Sequence, residues 1–265
     1  MRSVVDESLR RILIERFDDP DVEAIVLTGS YARGEEGPYS DVDVFRIKIK
    51  LGDTRTQIHN GLIDRRLVIV DDLGLTAIEE CFTEPDQISS YLQGLRTAQE
   101  LRDPNGTFAD IQARAHRFEW DSNIQQRANA WASRQLAGYS EDMLKGVAGL
   151  RTHDTGRLLN ARFAGSWGLS RIMQVQRGVL LSSDNHFFTA VADAVGPDTQ
   201  WTRLRRIAFA VGDADETTPS LSAQVMACLR LYVETARLLD DILQPEDRKL
   251  IEHTVHRILV EIDAI

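Results

Sequence analysis

An apolar run, Val22-Glu-Ala-Ile-Val-Leu-Thr28, stops on Gly29-Ser30, and an alternating segment then begins at Asp41-Val-Asp-Val44. The run reads as a buried strand. Gly29 to Ser40 carries Gly29, Gly34, Gly37 and Pro38, which mark a turn-rich connection with one short helix near Ser30 to Gly34. Asp41 to Lys50 reads as a second strand. Residues two apart on a strand share a face, so the Asp41 and Asp43 carboxylates point the same way. A paired carboxylate suits a hard cation such as Mg²⁺, which keeps waters and bridges to substrate phosphates. Gly29 allows close backbone approach, helix-start N–H groups favour a phosphate, and Ser30 adds a hydroxyl. Singly, these parts are ordinary: Asp-x-Asp is usually a solvated strand end and Gly-Ser a turn dipeptide. In this order they outline a nucleotide–metal site.

The flanking sequence extends the same alternation of helix and strand. Val4, Val5, Leu9, Ile12 and Leu13 fall on one helical face that Asp18-Asp19-Pro20 ends. Leu62 to Val70 predicts a third strand, Thr76–Cys81 and Pro85–Leu92 predict helices, and Leu95–Arg102 predicts a further strand closed by the turn Asp103-Pro-Asn-Gly106. From Thr107 onward the periodicity is helical. Ala132, Leu136, Tyr139, Met143 and Val147 form one apolar stripe, Leu158 to Val175 another, and 223–242 and 246–262 complete a bundle. The expected class is α+β: a mixed-sheet domain over 1–106 and a helical, substrate-binding domain over 107–265.

Composition bounds the function. At roughly 100–200 residues per domain, 265 residues suit two domains. With 31 basic and 41 acidic residues the net charge is −10, which argues against a nucleic-acid binder relying on phosphate neutralisation. Cys81 and Cys228 alone cannot build a disulfide framework or zinc cluster within one chain. No secretory core follows Met1, and no apolar run approaches a membrane span, so a cytoplasmic protein is expected; its assembly is left open between monomer and homodimer. His59, His116, His153, His186, His253 and His256 show no metal-ligand spacing, and Trp120, Trp131, Trp167 and Trp201 read as bundle core.

The run Gly29-Ser30-x-x-Arg33-x-x-x-Gly37-Pro38-Tyr39-Ser40-Asp41-x-Asp43 resembles the nucleotidyltransferase superfamily of the DNA polymerase β type. It is most similar to the antibiotic (aminoglycoside) nucleotidyltransferases, the kanamycin nucleotidyltransferases in particular, which carry G-S-x-x-R-x-x-x-G-P-Y-S-D-x-E. Asp103-Pro-Asn-Gly-Thr-Phe108 resembles the D-P-x-G-x-F turn leading into their helical domain. The resemblance implies a polymerase-β-like domain followed by a helical one, with the active site in the cleft between them. Asp41 and Asp43 would hold Mg²⁺. Gly29, Ser30, Arg33 and Ser40 would bind the nucleotide, ATP or another nucleoside triphosphate. A hydroxyl of a small acceptor, cationic in the case of an aminoglycoside, would take AMP and release pyrophosphate.

Two positions depart from the family pattern or extend it. The superfamily supplies a third carboxylate from a neighbouring strand. In Leu62-Ile-Asp-Arg-Arg-Leu-Val-Ile-Val70 the expected register puts Arg66 there, with Asp64 one pleat away on the same face. Either Asp64 substitutes or two strand carboxylates act alone. The resemblance also implies a catalytic Glu from the helical domain with a Lys four residues on that reaches the triphosphate. Glu141 and Lys145 have that spacing, which is equally that of an ordinary surface ion pair.

The leading expectation is therefore an Mg²⁺-dependent nucleotidyltransferase acting on a hydroxylated small molecule, with an aminoglycoside as the candidate acceptor. Nine acids against two arginines between Glu15 and Asp43 would attract a polycation. The alternatives are a toxin-type enzyme modifying a protein or tRNA, for which the arginines at 157, 162, 171, 177, 203, 205 and 206 are the relevant feature, and a non-catalytic nucleotide-binding protein of the same fold.

Overall fold

The structure, a computed structural model, describes residues 7–48, 55–212 and 218–262. Val4 and Val5 of the expected first helix, and Ile49 and Lys50 of the expected second strand, lie outside the described residues. The chain divides into two compact units, residues 1–121 with 180–187, and residues 122–179 with 188–265.

The first unit is built on a five-stranded mixed sheet. Its elements are α1 (Glu7–Phe17), β1 (Ala24–Thr28), α2 (Gly29–Arg33), β2 (Val42–Lys48), β3 (Arg55–Ile63), β4 (Arg66–Gly74), α3 (Leu75–Thr83), α4 (Pro85–Thr97), β5 (Gln99–Arg102) and α5 (Thr107–Arg117). The strand order is β3-β4-β2-β1-β5. β1 runs antiparallel to both β2 and β5, β3 is antiparallel to β4, and β2 and β4 are parallel. β1 is buried at every position because it lies between two neighbours and is covered on both faces. One face is apolar: Leu9, Leu13 and Phe17 of α1 pack on Ile25, Leu27, Val42, Val44, Val68 and Val70.

The expected strand Leu62–Val70 is instead a hairpin. β3 ends at Ile63, Asp64 and Arg65 form the turn with φ of 47° and 60°, and Ile63 pairs with Arg66. Two positive-φ residues are what a tight hairpin needs to match strand twist. Asp-Arg carries none of the glycine that normally signals such a turn, so the alternation ran through it unmarked.

At one edge of the apolar face a charge is buried. Arg46 donates two hydrogen bonds to Asp72, Nε to Oδ1 at 2.6 Å and Nη2 to Oδ2 at 2.8 Å. Its Nη1 reaches the Phe17 carbonyl at 2.9 Å and Asp19 at 3.0 Å. Burial alone would lower the Arg46 pKa, but Asp72 and then Asp19 outweigh it and the guanidinium is held above its usual value.

α5 counts with the sheet rather than with the helices, which moves the division past residue 106 to Asp121. Gln112 donates to the Ala98 carbonyl at 2.8 Å, Arg96 donates to the Ala115 and Phe118 carbonyls, and Arg114 clamps Glu79. Long polar side chains thus tie a helix to the unit before it, a link that no apolar periodicity announces.

The second unit is helical. It comprises α6 (Ser122–Gly138), α7 (Ser140–Thr152), α8 (Thr155–Gln176), α9 (Phe187–Val195), α10 (Gln200–Ala208), α11 (Leu221–Leu238) and α12 (Pro245–Ile262). The stripe from Ala132 to Val147 breaks at Tyr139 into α6 and α7. α8 packs against α6, α7 and α11. A Cβ on Gly168 would stand 2.0 Å from the Tyr139 ring, so only glycine admits that ring against α8. Asp154 caps α8, accepting from the Arg157 N–H at 3.1 Å. Of the four tryptophans only Trp201 is fully buried, and its Nε1 donates to Thr235 at 2.9 Å. Trp167 is half exposed. No described helix is long and apolar enough to cross a membrane.

Candidate active site

A cleft of about 1060 Å³ opens on the sheet face opposite α1, and all its lining residues belong to the first unit. Its floor follows from strand register. Parallel pairing sets Asp43 beside Ile69 and Phe45 beside Asp71. Paired residues share a face, so Asp43, Phe45, Ile69 and Asp71 look into the cleft while Val42, Val44, Val68 and Val70 look into the core. Asp41, immediately before β2, lines the same cleft.

Asp71 is the carboxylate that the sequence reading missed. It is 4% exposed and lines the cleft. Asp64 sits in the hairpin turn, more than half exposed and paired with Arg66 at 2.9 Å, and does not line the cleft. Asp64 is thus not placed to join Asp41 and Asp43, whereas Asp71 lines their cleft. The cause is the hidden hairpin: once 64–65 is a turn, β4 runs on to Gly74 and brings Asp71 opposite β2. The alternation of β4 was the available signal, since Asp71 lies two residues beyond Ile69 on its face, whereas Asp72 belongs to the Arg46 pair on the other.

The wall nearest β1 is Gly29 and Ser30. Thr28 pairs with Asp43, and the chain then turns through Gly29 at φ +67° into α2. Here glycine is required twice. The dihedral is left-handed, and a Cβ would stand 2.3 Å from Asp43 Oδ2. α2 is held from behind by Gln99, whose Nε2 donates to the Ala32 carbonyl at 2.5 Å. Gly34 ends it in the left-handed conformation.

Arg33 and Ser40 also line the cleft. Arg33 Nε donates to Glu35 at 2.7 Å, so its charge is already partly matched. Ser40 Oγ accepts from the Gly37 N–H at 2.9 Å, which closes the loop 37–40 and leaves the hydroxyl proton to donate. Tyr39 lines the cleft fully exposed.

A second group that sequence reasoning passed over comes from far along the chain. Leu181 to His186 return to the first unit and line the cleft, His186 among them. Nothing local in Leu181-Ser-Ser-Asp-Asn-His186 marks it as a cleft wall.

Glu141 and Lys145 lie on α7 of the second unit, where they form an i,i+4 ion pair at 2.6 Å with Glu141 75% exposed. The hydrogen bond from Lys145, then its charge, holds the Glu141 carboxyl below its usual pKa.

The donor set fits a divalent cation in chemistry. Asp41, Asp43 and Asp71 offer only hard oxygen ligands along one wall, beside a glycine cradle that a Cβ would fill. Among the described residues no group of three His, Cys, Asp or Glu side chains forms a ready-made metal cage. A Mg²⁺-like ion needs none, because it takes one or two carboxylates and completes its shell with water and phosphate.

Comparison with known proteins agrees with this geometry. Residues 7–48, which hold β1, α2 and β2, match the nucleotidyltransferase domain family. A bifunctional uridylyltransferase/uridylyl-removing enzyme of Burkholderia lata is 30% identical over 110 residues, 38% of this chain and 12% of that protein. A putative protein adenylyltransferase of Methanocaldococcus jannaschii is 35% identical over 89 residues, 34% of this chain and 58% of that protein. The matched stretch thus spans a small part of the first relative and little more than half of the second. A nucleotidyltransferase-like protein from Exiguobacterium sibiricum shares the fold with a TM-score of 0.50 and 11% identity, over 97% of this chain and 78% of that one. These likenesses support the nucleotidyltransferase superfamily; they do not extend to the aminoglycoside subfamily.

Proposed function

We propose that this protein transfers a nucleoside monophosphate from a nucleoside triphosphate to an acceptor hydroxyl and releases pyrophosphate. The observation that carries the reading is that Asp41, Asp43 and Asp71 line one cleft together with Gly29 and Ser30, Asp43 and Asp71 on the same face of neighbouring parallel strands.

In this reading Asp41 and Asp43 hold Mg²⁺, with Asp71 as the third carboxylate. The ion, when bound, offsets phosphate charge and the charge that develops on the leaving pyrophosphate. Gly29 lets the phosphates approach the backbone, and Ser30 and Ser40 donate hydroxyl hydrogen bonds to them. Arg33 adds positive charge on the same side. The acceptor oxygen forms a bond to the α-phosphorus as the bond from that phosphorus to the bridging oxygen breaks. The electron pair leaves with pyrophosphate, and the acceptor proton passes to a carboxylate. Within the first unit that carboxylate is Asp71, which is buried, lines the cleft and lies on the same face of β4 two residues beyond Ile69, the partner of Asp43. Glu141, with Lys145 as the triphosphate contact, is the rival assignment from the helical unit. A carboxylate whose basicity is lowered by its own lysine is the poorer proton acceptor.

The acceptor is the finer question. The acidic stretch expected to attract a polycation is partly matched internally: Asp18 meets Arg102 at 2.9 Å, Asp19 meets Arg46 and Lys48, and Glu35 meets Arg33. The arginines that would favour tRNA are likewise partly committed. Arg205 is buried, which lowers its pKa to about 10, and donates to Ser170 at 2.7 Å; Arg171 donates to Gln174 at 2.6 Å. A small hydroxylated molecule remains the first acceptor to test. A protein hydroxyl is the second, because one relative is described as a putative protein adenylyltransferase.

The test is incubation with each of the four nucleoside triphosphates, labelled on the α-phosphorus, with Mg²⁺ and panels of aminoglycosides, other hydroxylated metabolites and cell protein. Label on an acceptor together with pyrophosphate release supports the proposal. Release of labelled monophosphate alone, or no turnover with any acceptor, overturns it.

A further inference from the structure

The returning segment from Leu181 to His186 is built into the first unit at both ends. The N–H of Leu181 donates to the Ser89 carbonyl of α4 at 3.1 Å, and Leu181 and Phe187 are buried. Between these anchors the chain makes a single 3₁₀ turn, Asp184–His186, with Ser183 accepting from the Asn185 N–H at 3.3 Å and the His186 N–H reaching the Ser183 carbonyl at 3.0 Å. Ser182 Oγ lies 3.1 Å from His186 Nδ1. The contact fixes the ring through Nδ1, and in the tautomer where Ser182 donates to Nδ1 the ring proton lies on Nε2, a donor at the far nitrogen.

The charges around the cleft show what that donor is suited to. The lining acids are Glu35, Asp41, Asp43, Asp71 and Asp184. Among the described lining residues, Arg33 and His186 are the basic side chains, and Arg33 is engaged by Glu35. A triphosphate carries more negative charge than one divalent ion would offset, so a donor beyond Ser30, Ser40 and Arg33 adds to its binding. α4 joins the segment to the cleft: the Ser89 carbonyl of α4 holds Leu181, and Ser90, Tyr91 and Gly94 of the same helix line the cleft together with Gly29, Ser30 and His186.

We propose that His186 is a specificity-determining residue of the nucleotide pocket: positioned by Ser182 at Nδ1, it offers Nε2–H to the phosphates that are not transferred, and so distinguishes a triphosphate from a monophosphate. The inference rests on the nucleotidyltransferase reading above and adds a residue from the segment that interrupts the helical unit.

The test is equilibrium binding, with Mg²⁺, of a nucleoside triphosphate analogue that cannot be cleaved between its α- and β-phosphorus, and of the matching monophosphate. Wild-type protein and the His186→Ala, His186→Gln and Ser182→Ala variants are compared, with thermal unfolding as the fold control. His186→Ala should weaken triphosphate binding about tenfold, the usual effect of removing one hydrogen bond to a charged group, and leave monophosphate binding unchanged. His186→Gln keeps an N–H donor and should recover much of the loss, while Ser182→Ala should cost a few-fold by freeing the ring. Equal loss for both nucleotides would place His186 on the base or ribose and overturn the inference. So would unchanged binding of both. Wild-type protein that binds neither nucleotide would overturn the nucleotidyltransferase reading itself. Wild-type protein that binds both, with His186→Ala behaving identically, would remove only this inference.

Discussion

Gly29 and Asp43 are packed so closely that a Cβ on residue 29 would stand 2.3 Å from the Asp43 carboxylate oxygen. The phosphate cradle and the carboxylate wall are therefore one construction. Gly29→Ala introduces a methyl group where the backbone is left-handed and pushes Asp43 out of its position. The expected result is a stability loss of about 1–2 kcal/mol from the dihedral alone and turnover lower by orders of magnitude. Urea unfolding and initial rates on the same preparation check both. Wild-type turnover in Gly29→Ala would mean that the Asp43 position is immaterial.

Asp71 and Asp72 are neighbours with opposite duties. Asp71 looks into the cleft, and Asp72 completes the buried Arg46 pair. Asp71→Asn should reduce turnover by orders of magnitude while the unfolding midpoint stays near wild type, because the amide keeps the shape and loses the charge. Asp72→Ala should do the reverse. Leaving Arg46 buried without its bidentate partner costs about 3–5 kcal/mol, with the lower end expected because Asp19 still faces it. If both variants lose activity and stability together, the division of faces is wrong.

Glu141→Gln and Lys145→Ala separate the two candidates for the proton acceptor. With Asp71 in that role, both helical-unit variants should retain wild-type kcat and nucleotide KM, and only a small change in stability is expected from an exposed pair. A strong fall in the single-turnover rate of Glu141→Gln, with nucleotide binding intact, would transfer the role to Glu141. A raised nucleotide KM in Lys145→Ala would add the lysine.

The tie between α3 and α5 predicts a modest acid sensitivity. Arg114 donates to Glu79 at 2.5 and 2.6 Å, and these hydrogen bonds hold the Glu79 carboxyl below its ordinary 4.5. On acidification the unfolded chain takes up this proton first, so the contribution is present above about pH 4.5 and is lost as pH falls through the folded value. Both side chains are about half exposed, which keeps it below about 1 kcal/mol. Glu79→Gln should flatten the acid limb of a stability–pH curve slightly and leave the neutral region shifted by the same small amount. An unchanged acid limb would show that the contact has no thermodynamic weight.

Local periodicity was a good guide wherever one face of an element meets the core. Leu9 and Leu13 mark α1, the run to Thr28 marks β1, and the long stripes of the second half mark α8, α11 and α12. Gly29, Ser30, Asp41 and Asp43 were legible together because they lie within one strand–turn–strand and depend on no distant partner. The same logic misled at Asp64-Arg65, where a turn without glycine hid a hairpin and, with it, the register of β4.

The sequence by itself thus determined the mixed-sheet unit, the helical unit and the Gly-Ser and Asp-x-Asp walls, since each follows from residues at helical or strand spacing. Only the tertiary structure decided that Asp71 rather than Asp64 lines the cleft with the carboxylate pair, that α5 belongs with the sheet, and that His186 returns to the cleft. Those three outcomes come from parallel strand pairing, long polar side chains and a chain reversal. Each joins residues distant in sequence through contacts that leave no periodic mark on either partner.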